Sequence, residues 1–391
     1  VDQVRLGIIG LGNMGNGHLA LSREIATAKL SAVCDIDPKR LEERGKPTGV
    51  PCFATADELI ASKTCDAVVI ATPHYDHVPI GIAALRAGLH VLVEKPIAVS
   101  VKAARELIAE SLRHPHLKFG IMYNQRSNPL YQKLRALIAA GELGEIFRIT
   151  WIITDWFRTH AYYASGGWRA TWAGEGGGVL INQCPHNLDL IQWITGLNPH
   201  RVTAVGSIGK RHPIEVEDDV SAILEYPNGA VGHFITTTGE APGTNRLEIA
   251  GDRGKFIAEN GKLTFVRTTE SVTEVNSTSP NAFHNVESWT IDIPYPKAPP
   301  IGEHHRVMIN YLDAILKDTP MLSPGVDGIH GLEIGNAMLM SGITRKPVDI
   351  PVDGEAFDLF IADMIKTYGG RKTLATREAV VDMAASSSSF R

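Results

Sequence analysis

The apolar run Val4–Ile9 ends in Gly10-Leu11-Gly12-Asn13-Met14-Gly15, a helix-length stretch follows, and Asp35 closes the next apolar run 20 residues beyond Gly15. No other feature restricts the chain so strongly. In this arrangement Gly10 permits a tight turn out of a strand, and Gly12 lets backbone N–H groups approach a pyrophosphate. Gly15 lets the next helix pack close to its sheet, the helix N-terminus adds a positive dipole, and Asn13 and Met14, between the glycines, are cofactor-binding candidates with them. The pattern predicts a bound dinucleotide. Asp35 can accept hydrogen bonds from ribose hydroxyls and would repel a 2′-phosphate, which favours NAD and makes NADP the less favoured cofactor. Lys39 and Arg40 are expected to be solvated charges at the start of a helix.

Segments Val4–Ile9, 31–35, 67–71, His90–Val93 and 118–122 are short apolar runs rich in β-branched residues, the pattern of parallel strands buried on both faces. Helix-length stretches at 18–28, 38–44, 56–62, 79–87 and 101–110 separate them. Such alternation predicts an α/β class fold with an N-terminal doubly wound parallel sheet of the Rossmann type. After Tyr123 the rhythm changes to alternating strands at 145–157, 220–226, 230–237, 255–258 and 262–266. Pro227-Asn228-Gly229 and Asn260-Gly261 mark turns between them. Helical patterns at 129–140, 179–194 and 304–316 accompany these strands, so the second half reads as α+β with a mostly antiparallel sheet. The expected division is a cofactor domain over 1–123, a substrate and oligomerisation domain over 124–378, and a frayed tail over 379–391.

Composition narrows the function classes. The formal net charge is −5, which provides no field to attract nucleic acid or an anionic bilayer. No apolar stretch approaches the ~18 residues of a membrane-spanning helix. Cys34, Cys52, Cys65 and Cys184 lie far apart without a Cys-x-x-Cys spacing, so neither a zinc site nor a disulfide framework is expected. A cytoplasmic location is the expectation, with a removed export signal ahead of Val1 as the alternative. No metal-spaced cluster is evident, and His304-His305 reads as a polar pair at a helix start.

Two segments carry chemistry. Glu94-Lys95-Pro96 follows a buried strand at the carboxyl edge of the first sheet, where ligands of such folds bind, and the proline can hold a cis bond that aims Lys95 into the cleft. Far downstream, Gly176-Gly177-Gly178 precedes Asn182, His186, Asp189 and Trp193. Spacings of 4, 3 and 4 place these four on one face of a single helix, and the glycines are expected to leave room for a ligand against backbone. His186 suits proton transfer near neutral pH, and Lys95 suits stabilisation of an alkoxide; either can be the base. Between the two segments, Trp156–Trp172 is rich in aromatic residues whose faces suit a polyol ring, with core packing as the competing explanation. Tyr163 and Trp172 are the substrate-facing candidates.

In combination these residues, with Ala71-Thr72-Pro73, His77, Tyr123-Asn124-Gln125-Arg126 and Trp168-Arg169, resemble the Gfo/Idh/MocA family over nearly the whole chain. The resemblance implies a Rossmann domain followed by a domain with an open-faced, mostly antiparallel sheet, often used to build homodimers or homotetramers. It implies NAD(P)-dependent oxidation or reduction of sugars, glycosides or cyclitols. By the same analogy Thr72, Pro73, His77, Glu94, Asn124, Trp168 and Arg169 line the cofactor, while Lys95 and His186 act on substrate with Asn182 beside them. Many members carry Asp where this chain has Asn182; Glu94 or Asp189 is expected to compensate. The alternatives are a relative that uses bound NAD transiently for oxidation and elimination, and a non-catalytic NAD-sensing regulator.

Overall fold

The computed structural model describes residues 2–376; the expected frayed tail lies outside them. The first sheet has six strands: β1 (Val4–Ile9), β2 (Ala28–Cys34), β3 (Cys52–Phe53), β4 (Ala67–Ile70), β5 (His90–Val93) and β6 (Phe119–Ile121). All pairs are parallel in the order β3-β2-β1-β4-β5-β6, the doubly wound order, whose chain reversal falls between β1 and β4. Both faces of this sheet are covered, so Leu6, Ile8, Val68, Val69, Val91 and Val93 are fully buried. The first helix, Asn13–Glu24, starts five residues ahead of its expected position, directly after Gly12, and ends before Ala28, which already belongs to β2.

The second sheet contains β7 (Ile146–Ile153), β8 (Arg201–Ile208), β9 (Glu217–Glu225), β10 (Val231–Thr237), β11 (Asn245–Gly251), β12 (Gly254–Glu259), β13 (Lys262–Thr268), β14 (Ser288–Asp292) and β15 (Val348–Asp349). Their order is β14-β13-β12-β11-β7-β10-β9-β8-β15, antiparallel throughout except for the parallel β7–β10 pair. One face packs on helices, most extensively Gly328–Thr344 on β8 and β9, with Pro185–Thr195 packed in turn on that helix; along β8 and β9 buried and exposed residues alternate, which leaves the other face open.

The two halves interlock. Helix Glu303–Lys317, late in the chain, buries Val307, Met308, Tyr311 and Leu312 against Val4, Leu6, Leu92 and Met122 of the first sheet. Helix Gly328–Thr344 carries Asn336, whose side chain accepts from Val101 N–H (3.1 Å) and donates to the Val99 carbonyl (3.1 Å). These returns bring His304 and the loop after β5 to one place.

Candidate active site

The glycine turn is built as its spacing requires. Gly10 has φ +92°, and a Cβ there would sit 2.7 Å from the Ala71 carbonyl oxygen; one at Gly15 would sit 1.7 Å from the Gly10 oxygen. A Cβ at Gly12 would meet nothing within 4 Å, so this side of the turn is open. Gly12 caps helix Asn13–Glu24 without a side-chain hydrogen bond, which leaves the first-turn N–H groups of Asn13, Met14 and Gly15 for an anion. Asp35 follows β2 and accepts from Leu11 N–H (2.7 Å) and Asp37 N–H (2.8 Å), pinning the turn. Arg40 lies 3.6 Å from Asp35, so it is partnered rather than only solvated. The buried Thr72 hydroxyl and Asn124 side-chain oxygen have no protein partner, as suits groups that line a cofactor cleft. The residues present therefore fit a dinucleotide.

Lys95 follows β5, and the Lys95–Pro96 bond is cis. Its ammonium donates to the backbone carbonyl of Asn182 at 2.6 Å. Burial lowers its pKa, only partly countered by the carboxylates of Glu94 and Glu175, and Arg169 and Arg158 push the same way as burial. Burial would raise the carboxyl of Glu94, but the 2.7 Å bond to His18, the charge of His18, and His304 and Lys95 outweigh it and hold Glu94 at about 2. His186 stands in the first turn of helix Pro185–Thr195 with its ring edge-on to Tyr123, 6.1 Å between centroids. Burial, then Lys95 and His304, drive its pKa well below the usual histidine value, so the imidazole is neutral at pH 7. The Lys95 ammonium from the first half thus lies close enough to the imidazole of the second for its charge to help keep His186 neutral.

Several expected residues sit elsewhere. The single helix through 179–194 is broken: Val179–Asn182 and Pro185–Thr195 are separate, because Pro185 has no N–H for the helix ladder and its ring crowds the preceding turn. Asn182 and His186 still reach the cleft, but Asp189 is fully buried and forms a two-point pair with Arg126 (2.6 and 2.8 Å), so it cannot balance Lys95. Trp193 lies under the guanidinium groups of Arg126 and Arg135. The triple glycine does not hold space for a ligand. A Cβ at Gly176 would strike Val99 and one at Gly178 would lie 2.0 Å from the Glu217 carbonyl oxygen, so these positions serve close packing.

Trp172 is fully buried with its indole N–H on the Glu215 carbonyl (2.5 Å), and Tyr163 is buried with its hydroxyl on Thr238 (2.8 Å). Neither offers a face to substrate; core packing explains both. His77 spans the loops after β4 and β5, its ring nitrogens 2.9 and 2.8 Å from the Thr72 and Pro96 carbonyl oxygens, and so shapes the cleft from behind. Asn124 donates to Glu303 (3.0 Å). Arg169 stacks on Trp168 and Tyr162 at 4.7 and 4.6 Å.

Sequence reasoning gave His18, Glu175 and His304 no role in the site and included Tyr162 only within the aromatic segment Trp156–Trp172. His304 faces His18 edge-on at 6.3 Å, and burial lowers its pKa to about 4. The one visible signal was the His304-His305 pair at a helix start. Among the described residues no group of His, Cys, Asp or Glu side chains is arranged to hold a metal ion.

Comparison with known proteins agrees with this architecture. The model described as "Oxidoreductase family, NAD-binding Rossmann fold" matches residues 4–117, and that of the GFO/IDH/MocA C-terminal domain matches 131–257. The chain belongs to the Gfo/Idh/MocA family of NAD-binding oxidoreductases. It is 27% identical to myo-inositol 2-dehydrogenase of Thermotoga maritima over 68% of this chain and 78% of that protein. It is 33% identical to the rhizopine catabolism protein MocA of Rhizobium meliloti over 51% of this chain and 59% of that one. Its fold matches levoglucosan dehydrogenase in complex with NADH and levoglucosan, with TM-score 0.74 and 22% identity over 90% of this chain and all of that one.

Proposed function

We propose that this Gfo/Idh/MocA oxidoreductase transfers a hydride between a secondary hydroxyl of a sugar, glycoside or cyclitol and NAD. The observation that carries the chemistry is the 2.6 Å bond from the Lys95 ammonium to the backbone of Asn182, four residues before neutral His186. The similarity to inositol dehydrogenases and to the levoglucosan enzyme supports a polyol substrate. Bound NAD supplies the hydride acceptor. Gly10, Gly12, Asn13, Met14 and Gly15 would hold its pyrophosphate, Asp35 would accept from its ribose hydroxyls, and Thr72, Pro73, Glu94, Asn124, Trp168 and Arg169 would line the remainder. As hydride leaves the carbinol carbon, His186 accepts the hydroxyl proton and Lys95 hydrogen-bonds the oxygen while it carries negative charge, leaving a carbonyl.

The test is a spectrophotometric screen of monosaccharides, glycosides and inositols with NAD⁺ and NADP⁺. A hydroxyl donor preferring NAD⁺ is expected, with kcat lowered by ~10²–10⁴ in Lys95→Ala and His186→Ala. Unchanged turnover in both variants would remove the assignment. Cleavage of a glycoside without net reduced nicotinamide would select oxidation–elimination, and NAD binding with no turnover would select a sensor.

The same reading extends to organisation. A boundary near Tyr123 separates a cofactor unit from a second unit, helix Glu303–Lys317 packing with the former. The open face of the second sheet is the surface for a homodimer or homotetramer, and the free cysteines suit a reducing cytoplasm.

A further inference from the structure

Glu175 is 1% exposed and directly precedes Gly176-Gly177-Gly178. Its carboxylate accepts from Ala170 N–H (2.5 Å) and from the side-chain amide of Asn182, and lies 3.7 Å from Arg169. Because Asn182 gives its Nδ2 to Glu175, its Oδ1 must face the other way, where it accepts from the Tyr162 hydroxyl (3.3 Å). That hydroxyl has one proton to give and two lone pairs, which take N–H bonds from Arg169 (2.8 Å) and Gln183 (3.0 Å). Every donor in the chain is therefore oriented by its anionic end. The backbone of the same Asn182 receives Lys95 at 2.6 Å. Asp189 is committed to Arg126, and Glu94, bonded to His18, also favours the ammonium by its charge, but of the three carboxylates it is Glu175 that is bonded to the Asn182 side chain.

We propose that Glu175 is the positioning residue of the site: through the Asn182 amide it fixes where the Lys95 ammonium is held and supplies the negative charge that faces it. The inference rests on the catalytic role given to Lys95 above. It relocates the expected carboxylate from residue 182 to the other end of the Asn182 side-chain bond. Burial raises the Glu175 carboxyl above the ordinary carboxylate range, and Arg169, the Ala170 N–H, Asn182 and Lys95 offset only part of that rise. Around Lys95 the charged or titratable neighbours include Glu94, Glu175, Arg158, Arg169, His74, Cys184, His186 and His304; burial pushes the Cys184 thiol up and keeps it neutral, and the two carboxylates favour the ammonium.

The experiment titrates Lys95 by carbon NMR in the full chain labelled at lysine, with Lys95→Ala identifying the resonance. Glu175→Gln is expected to move the Lys95 titration to lower pH by ~1 unit and to lower kcat, with the best donor from the screen, at least about tenfold. Combining Glu175→Gln with Asn182→Asp returns one carboxylate and one amide to the same bond in exchanged positions, and should restore both readouts in large part. An unshifted titration in Glu175→Gln, or a double variant no better than the single one, overturns the proposal. Should Glu175→Gln not fold, the isosteric Asn182→Asp decides. It sets two carboxylates against each other, so activity should be lost at pH 8 and recovered as the pair takes up a shared proton; wild-type activity at pH 8 overturns the proposal. Full activity in Lys95→Ala would instead defeat the catalytic reading, whatever Glu175 does.

Discussion

Glu94 shows how one residue can be legible in sequence and still have its partner hidden. Its place after β5 follows from Glu94-Lys95-Pro96, but the group that keeps it ionised is His18, 76 positions earlier and fully buried. Removing one member of a buried pair leaves the other without compensation, so His18→Ala should cost about 3–5 kcal/mol in denaturant unfolding. The sign of the pH effect follows from the same pair. With Glu94 held at about 2 in the folded state, its contribution is present above the ordinary carboxylate range and is lost only as pH falls toward 2. In His18→Ala acid unfolding should begin at milder pH. His186 gives a second prediction. Burial and Lys95 keep its imidazole neutral well below the usual histidine value, so kcat/KM should show no acid limb near 6.5. A limb at that value, abolished in His186→Ala, would contradict the buried geometry.

At the scale of elements, local chemistry accounts for most of what patterning anticipates. Strands β1 and β5 occupy the expected residues, and helix 129–140 is observed as Pro129–Ala139 with Asn128 capping Leu130 N–H at 2.9 Å. The glycine turn is equally local, and Gly15→Ala should abolish NAD binding measured by fluorescence quenching, since its methyl would overlap the Gly10 carbonyl oxygen at 1.7 Å. Residues 179–194 mislead because 3.6-residue spacing persists on paper through Pro185, whereas the backbone cannot. Helix Gly328–Thr344 escapes patterning for another reason. Its glycines weaken the helical signal, yet Gly331 and Gly342 let it approach Asp189 and Gly206 so closely that added Cβ atoms would lie 2.9 and 3.0 Å from their backbone nitrogens.

Across the whole molecule, the second sheet leaves Val205 and Ile223 57% and 45% exposed on its open face. Apolar groups on such a surface suit the partner copy proposed above, and on that proposal Ile223→Glu should lower the mass seen by light scattering while leaving the circular dichroism unchanged. The late return of helix Glu303–Lys317 to the first sheet is a longer-range feature. Tyr311 is buried there, and Tyr311→Ala should cost about 3–5 kcal/mol in denaturant unfolding. The sequence by itself determined the parallel sheet, the dinucleotide turn and the two segments that bear Lys95 and His186, because each depends on residues within one or two elements. Only the tertiary structure decided that Asp189 serves Arg126, that Tyr163 and Trp172 belong to the core, that His18 holds Glu94, and that Glu175 and His304 lie near the lysine. Those pairings join residues far apart in the chain, and burial and charge act through space, which periodicity along a sequence does not record.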